Sequence, residues 1–338
     1  WSAHFLGALC YIFILPKTLE DWLLYWLDAY VKPVSKPSGY EHYRDNCVKH
    51  IIPAIGEIQL GNLTPRVLQR FFNEQARTGN LRTGGPLSTK SLRNMRAVLD
   101  VALKLATAEE LMPSNPVPLT AIKSVKSRRV QIMTNDSQRV LETYLFEHFG
   151  HKEADILLAL YTGMRLGEIC ALRWKNYQES TGMLSVESTV RRISDIDSSP
   201  MASKTQLVFG SVKTTSSERE LYMPDVVQQL LKLQRERFAK EFSREACDED
   251  FIVFNRCGRV MDPDNLSHYF SRILRQLHLE HVKFHAMRHT FATRAIENGI
   301  DVATVSGLLG HADVTTPRIS MCILGMKLCE PLCVALCR

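Results

Sequence analysis

The sequence predicts two folded domains: an all-α bundle of four helices, then an α+β domain that is mainly helical with a small antiparallel sheet. Apolar residues recur every three or four positions at 18–112, which is the spacing of amphipathic helices. From 133 to 320, helical patterns surround segments that alternate apolar and polar residues, as strands do. The basic, proline-containing stretch at 113–132 is interpreted as the linker between them.

The composition permits a polyanionic partner but does not require one. The 42 Lys and Arg and 36 Asp and Glu residues give a net charge of 42 − 36 = +6 with neutral histidines. A nucleic-acid-binding protein and an ordinary, mildly basic protein are both compatible with this charge. The 338 residues, 45% of them hydrophobic, are enough to bury two ordinary cores.

The first 17 residues fit neither domain. Residues 5–15 form an apolar run that is too short to span a bilayer and has no Lys or Arg before it. Because the chain begins with Trp1 rather than methionine, we expect it to be a fragment of a longer protein. We interpret 1–17 as an unassigned apolar fragment, either a buried segment or sequence that does not belong to the domain, rather than as a signal peptide. No other stretch resembles a transmembrane helix, so we expect a cytoplasmic protein without membrane contact.

The nine cysteines do not form a metal-binding or disulfide pattern. No C-x-x-C pair occurs, and four of the nine crowd into the last 17 residues at Cys322, Cys329, Cys333 and Cys337. Zinc ligands come in tighter pairs, and the chain otherwise looks cytosolic. We therefore expect no metal and no disulfide framework.

The first two helices are delimited by a cap and by prolines. Thr18 and Asp21 form a capping box, and an apolar stripe follows it until Pro33. A second helix fits 38–52 and is expected to end before Pro53.

The third and fourth helices carry a group of cations. The third runs from Thr64 to about residue 78, and the fourth begins at Ser88. Either a solvated helix face or contacts to phosphates would explain their basic residues, among which Arg93 and Arg96 are the candidates for DNA binding. The group comprises Arg66, Arg70, Arg77, Arg82, Lys90, Arg93 and Arg96.

The linker supplies four more candidate DNA-binding residues. Its three prolines predict an extended chain, and its cations occur without an acid from Leu111 to Gln131. Such a linker can lie along DNA, although flexible charged linkers are also common. The four cations are Lys123, Lys126, Arg128 and Arg129.

The second domain alternates helical and strand-like patterns. Helices are predicted at 135–148, 153–162, 164–175, 225–242 and 265–278. Strands are predicted near 183–190, 219–224 and 251–255. Neither a G-x-G-x-x-G motif nor a P-loop occurs, so no nucleotide cofactor is expected.

A group of basic side chains near the C-terminal end predicts an anion site. His285 and Arg288 lie three residues apart, on one face if the segment is helical, and His311 follows Gly310 at the end of the next helical stretch. A guanidinium and two imidazoles suit a phosphate group, because Arg offers a planar fork of donors and His moves a proton near neutral pH.

Four blocks in order resemble the tyrosine site-specific recombinases, or phage-type integrases. They are T-G-M-R-L-G-E-I-C-A-L-R-W at 162–174, a hairpin around Lys213, H-A-M-R-H-T-F-A-T at 285–293 and L-L-G-H at 308–311. The resemblance covers about 18–316. It implies that the bundle is a core-binding domain, that 133–320 is the catalytic domain, and that the partner is double-stranded DNA, on which a homotetramer assembles.

The resemblance also implies a role for each site residue. Arg165 and Arg288 would hold the oxygens of the scissile phosphate, and Glu168 would steady Arg165. Lys213, with Lys204 as a nearby rival, would give a proton to the departing 5′ oxygen. His285 would assist proton transfer, and His311 would hydrogen-bond the phosphate. Positive charge around one phosphodiester then stabilises the transition state without metal ions or ATP.

The expected nucleophile is missing. The family's tyrosine should lie about nine residues past the last histidine, where Ser320 stands, and the last tyrosine in the chain is Tyr269. A phenol can attack phosphorus and conserve the energy of the broken phosphodiester bond in a 3′-phosphotyrosyl link. A serine is a weaker acid with a shorter reach, so we expect the activity to be lost or to borrow a neighbouring protomer's tyrosine.

The tail at 321–338 suggests a reason for this loss. The family pattern ends abruptly after Thr316 and turns cysteine-rich, so we hypothesise a shifted reading frame, with a divergent helical tail as the competing interpretation. Two functional classes remain: an integrase-type recombinase, defective as written, and a non-catalytic DNA-binding remnant that occupies recombination sites. A metal-free phosphatase would explain neither the bundle nor the basic linker.

Overall fold

The structure is a computed structural model that describes residues 16–123, 131–195, 205–211 and 218–310. The described residues form two compact units, the first comprising 16–123 with 193–195 and 205, and the second comprising 131–192, 206–211 and 218–310. The predicted fold class is confirmed: a helical bundle comes first, and a mainly helical domain with small antiparallel sheets follows it.

The first unit is a bundle of α-helices extended by π-helical and 3₁₀ turns. Its helices are α1 (Leu19–Trp26), α2 (Pro37–Asn46), α3 (Ile52–Ile55), α4 (Pro65–Thr78) and α5 (Thr89–Ala108). The π-helical turns are Leu27–Val31 and Cys47–Ile51, and the 3₁₀ turns are Leu60–Asn62 and Val117–Leu119.

Helix α1 begins where the sequence predicts and packs against α5. The Asp21 amide donates to Thr18 Oγ1 and the Thr18 amide donates to Asp21 Oδ2, each at 3.1 Å. These two bonds satisfy amides that a helix start leaves unpaired. The Trp22 side chain is fully buried, and its Nε1–H donates to the carbonyl of Ala102 at 3.0 Å. The apolar stripe of α1 therefore forms the centre of the bundle core.

The second helical stretch does not end before Pro53, contrary to the sequence prediction. Helix α2 continues through the π-helical turn Cys47–Ile51 into α3, which has Pro53 in its first turn. A proline is tolerated there because the first amides of a helical segment have no intrahelical acceptor. The wider turn before α3 therefore admits a proline that would break a continuous α-helix.

The start of the predicted linker at 113–132 is folded onto the bundle. Val117 is fully buried in the core of the first unit. Arg96 donates from Nη2 to the Val117 carbonyl at 3.3 Å and from Nε to Thr120 Oγ1 at 3.2 Å. A buried valine and a guanidinium that binds the backbone together hold this segment in place, so it is not extended here.

The described residues from 131 onward form seven helices and five strands, and all of them except 193–195 and 205 belong to the second unit. The helices are α6 (Asn135–Glu147), α7 (His151–Thr162), α8 (Leu166–Ala171), α9 (Asp225–Phe242), α10 (Pro263–Gln276), α11 (Ala286–Glu297) and α12 (Val302–Leu309). The strands are β1 (Tyr177–Gln178), β2 (Met183–Val186), β3 (Ser188–Ser194), β4 (Thr205–Ser211) and β5 (Arg219–Tyr222). One antiparallel sheet has the order β1-β2-β5, and β3 pairs with β4.

Two predicted elements of the second unit are shorter than expected. The helix predicted at 164–175 is reduced to α8, because the chain is already extended at Leu172, the C-terminal cap. The strand predicted at 251–255 is only two isolated bridges, from Phe251 to Arg173 and from Phe254 to Val260. Ile252 and Phe254 are buried, but no continuous strand pairs with them among the described residues. A short apolar run looks the same in the sequence whether or not a strand pairs with it.

Helix α7 lies at the centre of the second unit, in contact with α6, α8, α9, α10 and α11. It carries Asp155, which is 1% exposed. Asp155 Oδ1 accepts from Gln234 Nε2 at 3.2 Å, whereas its Oδ2 has no hydrogen-bond partner among the residues that the structure describes. Burial, with a smaller contribution from the neighbouring Glu153, raises the pKa of Asp155 well above its usual range. The central helix therefore contains a carboxyl group that is poorly compensated when ionised.

None of the helices in the described ranges is both long and apolar enough to cross a bilayer.

We predict that Asp155→Asn stabilises the second unit, and more so at high pH. The folded-state pKa of Asp155 is raised, so the folded chain binds a proton that the unfolded chain releases. The wild-type free energy of unfolding therefore falls as pH rises from about 4 towards the folded-state pKa. The variant should gain about 1–3 kcal/mol at about pH 8 and less at about pH 5 in urea unfolding followed by circular dichroism. An equal gain at both pH values would contradict the prediction.

Candidate functional site

The site begins at the sharp turn between α7 and α8. Gly163 ends α7 with φ = +60°, a conformation that L side chains rarely adopt. A Cβ at Gly163 would lie 2.5 Å from Phe291 Cδ1 and 2.9 Å from Leu309 Cδ2. Two residues later, Arg165 is the N-terminal cap of α8. The glycine thus lets α7, α11 and α12 meet directly behind Arg165.

Glu168 is the buried carboxylate under Arg165. Its side chain is 2% exposed and accepts from the Arg165 amide at 3.0 Å and from Arg165 Nη1 at 2.7 Å. Arg219 Nη2 donates to the same carboxylate at 2.9 Å. Burial pushes the pKa of Glu168 upward, but Arg219 and then Arg165 outweigh it and lower the pKa below its usual value. Glu168 is therefore ionised in the folded protein at neutral pH.

Arg219 is a site residue that the sequence analysis did not identify. It is the first residue of β5, and its side chain is 8% exposed. Its Nε donates to the carbonyl of Leu308 at 2.9 Å, so it reaches from Glu168 to the last turn of α12. These partners lie 51 and 89 positions away in the chain. No local pattern in R-E-L-Y marks Arg219, because strand periodicity does not encode such distant partners.

Arg288, on α11, is also buried. Its Nη1 donates to the carbonyl of Gly163 at 2.9 Å, and its Nη2 donates to the carbonyl of Leu309. Burial, followed by the nearby positive charge of Arg165, lowers the pKa of Arg288 to about 9. The guanidinium remains protonated at neutral pH but is poorly compensated, so an additional negative charge would stabilise it.

These contacts form a closed ring, which we call the arginine ring, made of the side chains of Arg165, Glu168, Arg219 and Arg288. The ring closes through backbone carbonyls of α12 and through the carbonyl of Gly163, which precedes Arg165 by two residues. Three guanidiniums and one carboxylate give a net charge of +3 − 1 = +2. An excess of buried positive charge with open donors is suited to bind an anion.

His285 lies beside the arginine ring at the start of α11. Its ring centroid is 4.9 Å from that of His289, and the two rings meet edge to face. Burial, His289, Arg288 and Arg165 all lower the pKa of His285. The imidazole is therefore neutral at pH 7 and can accept a proton.

The structure brings together four of the predicted site residues: Arg165, Glu168, His285 and Arg288. Lys213, its rival Lys204, His311 and Ser320 lie outside the described residues, as does the tail at 321–338. The last described residue is Gly310, which has φ = +66° and would place a Cβ 3.2 Å from Arg219 Nη1. Within the described ranges, no group of three or more His, Cys, Asp or Glu residues could hold a metal ion.

A cleft of about 550 Å³ gives access to Arg165 from outside. It is lined by residues of α8, β3 and the start of α10, among them Gly167 and Arg191. A Cβ at Gly167 would lie 2.5 Å from Thr189 Oγ1, so α8 lies directly against β3. The Arg165 side chain is 39% exposed. A ligand can therefore reach its guanidinium although its Glu168 partner is buried.

The candidate DNA-binding residues of the first unit differ in their environments. Arg93 and Lys123 are exposed, whereas Arg96 is half-buried and binds the backbone at Val117. Other cations lie on α4, where Arg66, Arg70 and Arg77 line a surface groove. Lys126, Arg128 and Arg129 lie outside the described residues.

Comparison with known proteins identifies relatives for nearly the whole chain. The phage integrase family matches residues 129–319, and the N-terminal SAM-like domain of phage integrases matches residues 18–75. A XerC-like tyrosine recombinase from Caldanaerobacter subterraneus is 24% identical over 88% of this chain and 77% of its own length. The ICEBs1 integrase of Bacillus subtilis is 25% identical over 83% and 73%, respectively.

Solved structures of integrases share the fold. The Tn1549 transposon integrase in complex with a circular intermediate DNA has a TM-score of 0.69 at 17% identity and covers 89% of this chain and 93% of its own. A lambda integrase tetramer bound to a Holliday junction has a TM-score of 0.66 at 19% identity, covering 88% and 76%. At these identities the similarity establishes the fold alone.

We predict that Gly163→Ala destabilises the second unit more than Gly299→Ala does. Both glycines have positive φ, but a Cβ at Gly299 would meet nothing within 4 Å, so this control carries only the backbone strain. The additional clash with Phe291 should lower the free energy of unfolding by about 1–3 kcal/mol more. Hydrogen exchange of α7 and α11 peptides measures the effect, and equal exchange in the two variants would contradict the prediction.

Proposed function

The chain belongs to the phage integrase family of tyrosine recombinases, and on that premise we propose that it is an integrase-like site-specific DNA recombinase. Its substrate is double-stranded DNA, which the first unit grips while the second unit holds one backbone phosphate at the arginine ring. The chemistry of the family breaks and rejoins a strand through a 3′-phosphotyrosyl intermediate without metal or ATP. A cytoplasmic location is part of the same proposal.

The closed arginine ring is the single observation that carries this proposal. Arg165 and Arg288 come from distant parts of the chain, yet Arg288 Nη1 donates at 2.9 Å to the carbonyl of Gly163, two residues before Arg165. Glu168 and backbone carbonyls use some of their donors, and each guanidinium has five. A phosphodiester offers two oxygens that share one negative charge. A phosphodiester bound there reduces the excess of positive charge. The guanidiniums stabilise it most strongly in the transition state, where additional negative charge develops on its oxygens.

Proton transfer falls to the groups around the ring. His285 is neutral at pH 7 and so can take a proton from an attacking hydroxyl, which is general-base chemistry. We assign Lys213 as the acid that protonates the departing 5′ oxygen and His311 as a hydrogen-bond donor to the phosphate. These two assignments rest on the motif blocks of the sequence. Together with both arginines, they complete a site that needs only a nucleophile.

Ser320 stands where that nucleophile is expected, so we propose that the chain as written is inactive or defective on its own. A tyrosine supplied in trans by a neighbouring protomer would restore strand cleavage. That tyrosine would have to come from a tyrosine-bearing relative, because every copy of this chain has Ser320. For the chain itself we propose a homotetramer on paired recombination sites. The tetrameric lambda integrase on a Holliday junction, a protein of the same fold, supports this stoichiometry.

The alternative function is a DNA-binding remnant that occupies recombination sites without cutting them. Ser320 is the observation that favours it, because the arginine ring can bind a phosphate whether or not a phenol is present. The exposed cations of the first unit, including Arg93 and Lys123, serve both functions by contacting the DNA backbone. Binding experiments therefore test what the two functions share, and adduct formation separates them.

We predict that Arg165→Gln and Arg288→Gln each remove one phosphate contact. The logarithm of the association constant for duplex DNA falls linearly with the logarithm of salt concentration, and the slope should decrease in magnitude by about 0.9 for each lost contact. Fluorescence anisotropy with a duplex of arbitrary sequence measures the slope. Arg235→Gln is the matched control, because Arg235, which lies on α9, forms an exposed ion pair with Glu179. Unchanged slopes in both site variants would refute the phosphate site.

We predict that the chain forms no covalent adduct with a suicide DNA substrate, whereas Ser320→Tyr does. The substrate is a pool of nicked duplexes of random sequence, from which a short cleaved strand diffuses away and leaves the protein trapped on DNA. Adducts that survive denaturation are counted. An adduct formed by the unaltered chain would overturn the defect, and one formed only with an added tyrosine-bearing relative would support sharing in trans. If neither the unaltered chain nor Ser320→Tyr forms an adduct while both still bind DNA, the DNA-binding remnant is favoured.

A further inference from the structure

We propose that Arg219 is a positioning residue for the phosphate site, which sets the geometry of both phosphate-binding arginines without touching DNA itself. The inference rests on the proposed function of Arg165 and Arg288. One guanidinium holds the carboxylate that steadies Arg165 and the helix end that steadies Arg288. The two arginines therefore depend on a side chain that neither contacts directly among the described hydrogen bonds.

Arg219 faces protein on every side that its contacts define. Nη2 donates to Glu168 Oε2 at 2.9 Å, and Nε donates to the Leu308 carbonyl at 2.9 Å. A Cβ at Gly310 would lie 3.2 Å from its Nη1 and 3.4 Å from its Cδ. Only 8% of its side chain is exposed, against 39% for Arg165. Arg219 is thus directed at Glu168 and α12, while Arg165 is open to a ligand.

The two buried arginines bind successive carbonyls at the C-terminal end of α12. Arg219 donates a hydrogen bond to the carbonyl of Leu308, and Arg288 donates one to the carbonyl of Leu309. The last carbonyls of a helix have no intrahelical donors, and the negative end of the helix dipole favours cations. If Arg219 were removed, the Leu308 carbonyl would lose its donor and the last turn would loosen. Arg288 binds that same turn, so its position would change as well.

The other contact of Arg219 acts on Arg165 through Glu168. Glu168 Oε2 accepts both from Arg219 and from the Arg165 amide, while Oε1 accepts from Arg165 Nη1. Arg219 contributes most to lowering the pKa of this buried carboxyl group against the opposing effect of burial. Without Arg219, the Glu168 carboxylate would keep Arg165 as its one cationic partner among the described residues, and burial would raise its pKa. Its side chain would also be free to rotate away from the position that Arg219 holds. The start of α8 and the Arg165 guanidinium would then lose their fixed partner.

A guanidinium suits this task better than an ammonium. Arg219 donates from two different nitrogens to acceptors on two elements, and a planar fork makes such paired contacts in one rigid geometry. A lysine has a single nitrogen and would preserve the charge opposite Glu168 but not both contacts. Arg219→Lys therefore separates the charge of this residue from its geometry.

A double-mutant cycle on DNA binding tests the inference. Arg219→Gln should weaken binding of a duplex of arbitrary sequence about tenfold at low salt and reduce the magnitude of the salt slope by about 0.9 for each of the two arginine contacts that is lost with it. In an Arg165→Gln, Arg288→Gln background, the same substitution should change neither quantity, because the side chains through which Arg219 acts are already gone. The Arg235→Gln control should have the same small effect in both backgrounds. Urea unfolding establishes that each variant is folded.

The outcomes separate the inference from the proposed function. Equal losses from Arg219→Gln in both backgrounds would show that Arg219 binds DNA directly, and wild-type binding would show that it positions nothing; either overturns the inference alone. If Arg165→Gln and Arg288→Gln themselves have no effect, the proposed function falls, and the inference falls with it. If Arg219→Gln does not fold, the cycle is run with Arg219→Lys, for which the same dependence on background is expected.

Discussion

The buried carboxylate of Glu168 is the interaction on which the second unit's site depends. It accepts from Arg165 and Arg219 at 2.7–3.0 Å while only 2% exposed. A buried ion pair stabilises a fold only if its remaining donors and acceptors are satisfied. The Leu308 carbonyl contributes to this by accepting from Arg219. The carbonyls of Gly163 and Leu309 do the same for the neighbouring Arg288.

The same arrangement keeps binding separate from chemistry. The arginine ring has a charge excess of two before any ligand arrives, so the site is organised for an anion and needs little rearrangement when a phosphate binds. The contacts of the arginine ring all come from described residues between Gly163 and Leu309. The proposed grip on the DNA backbone therefore rests on groups other than the nucleophile.

Much of the fold could be predicted because local rules govern it. The capping box at Thr18 and the apolar stripes of the helices act within one or two turns, and the structure has helices where these patterns predict them. The failures are features that apolar periodicity does not encode. Pro53 lies inside a helical stretch because a π-helical turn precedes it, and the apolar pattern does not distinguish such a turn from an α-helix. Val117 is buried because it packs into the bundle core, which depends on residues distant in the chain.

From the sequence, the resemblance of the ordered motif blocks to the family predicted that Arg165, Glu168, His285 and Arg288 lie in one site, whereas helical spacing related only residues within one block. Only the tertiary structure decided how the site is held together. It placed Arg219 between elements 51 and 89 positions away, and it joined Arg288 to a carbonyl 125 positions away. It also directed the Arg96 side chain to the backbone carbonyl of Val117. Periodicity encodes which face of a helix is buried, whereas the partner of a buried guanidinium depends on which chain segments pack against it.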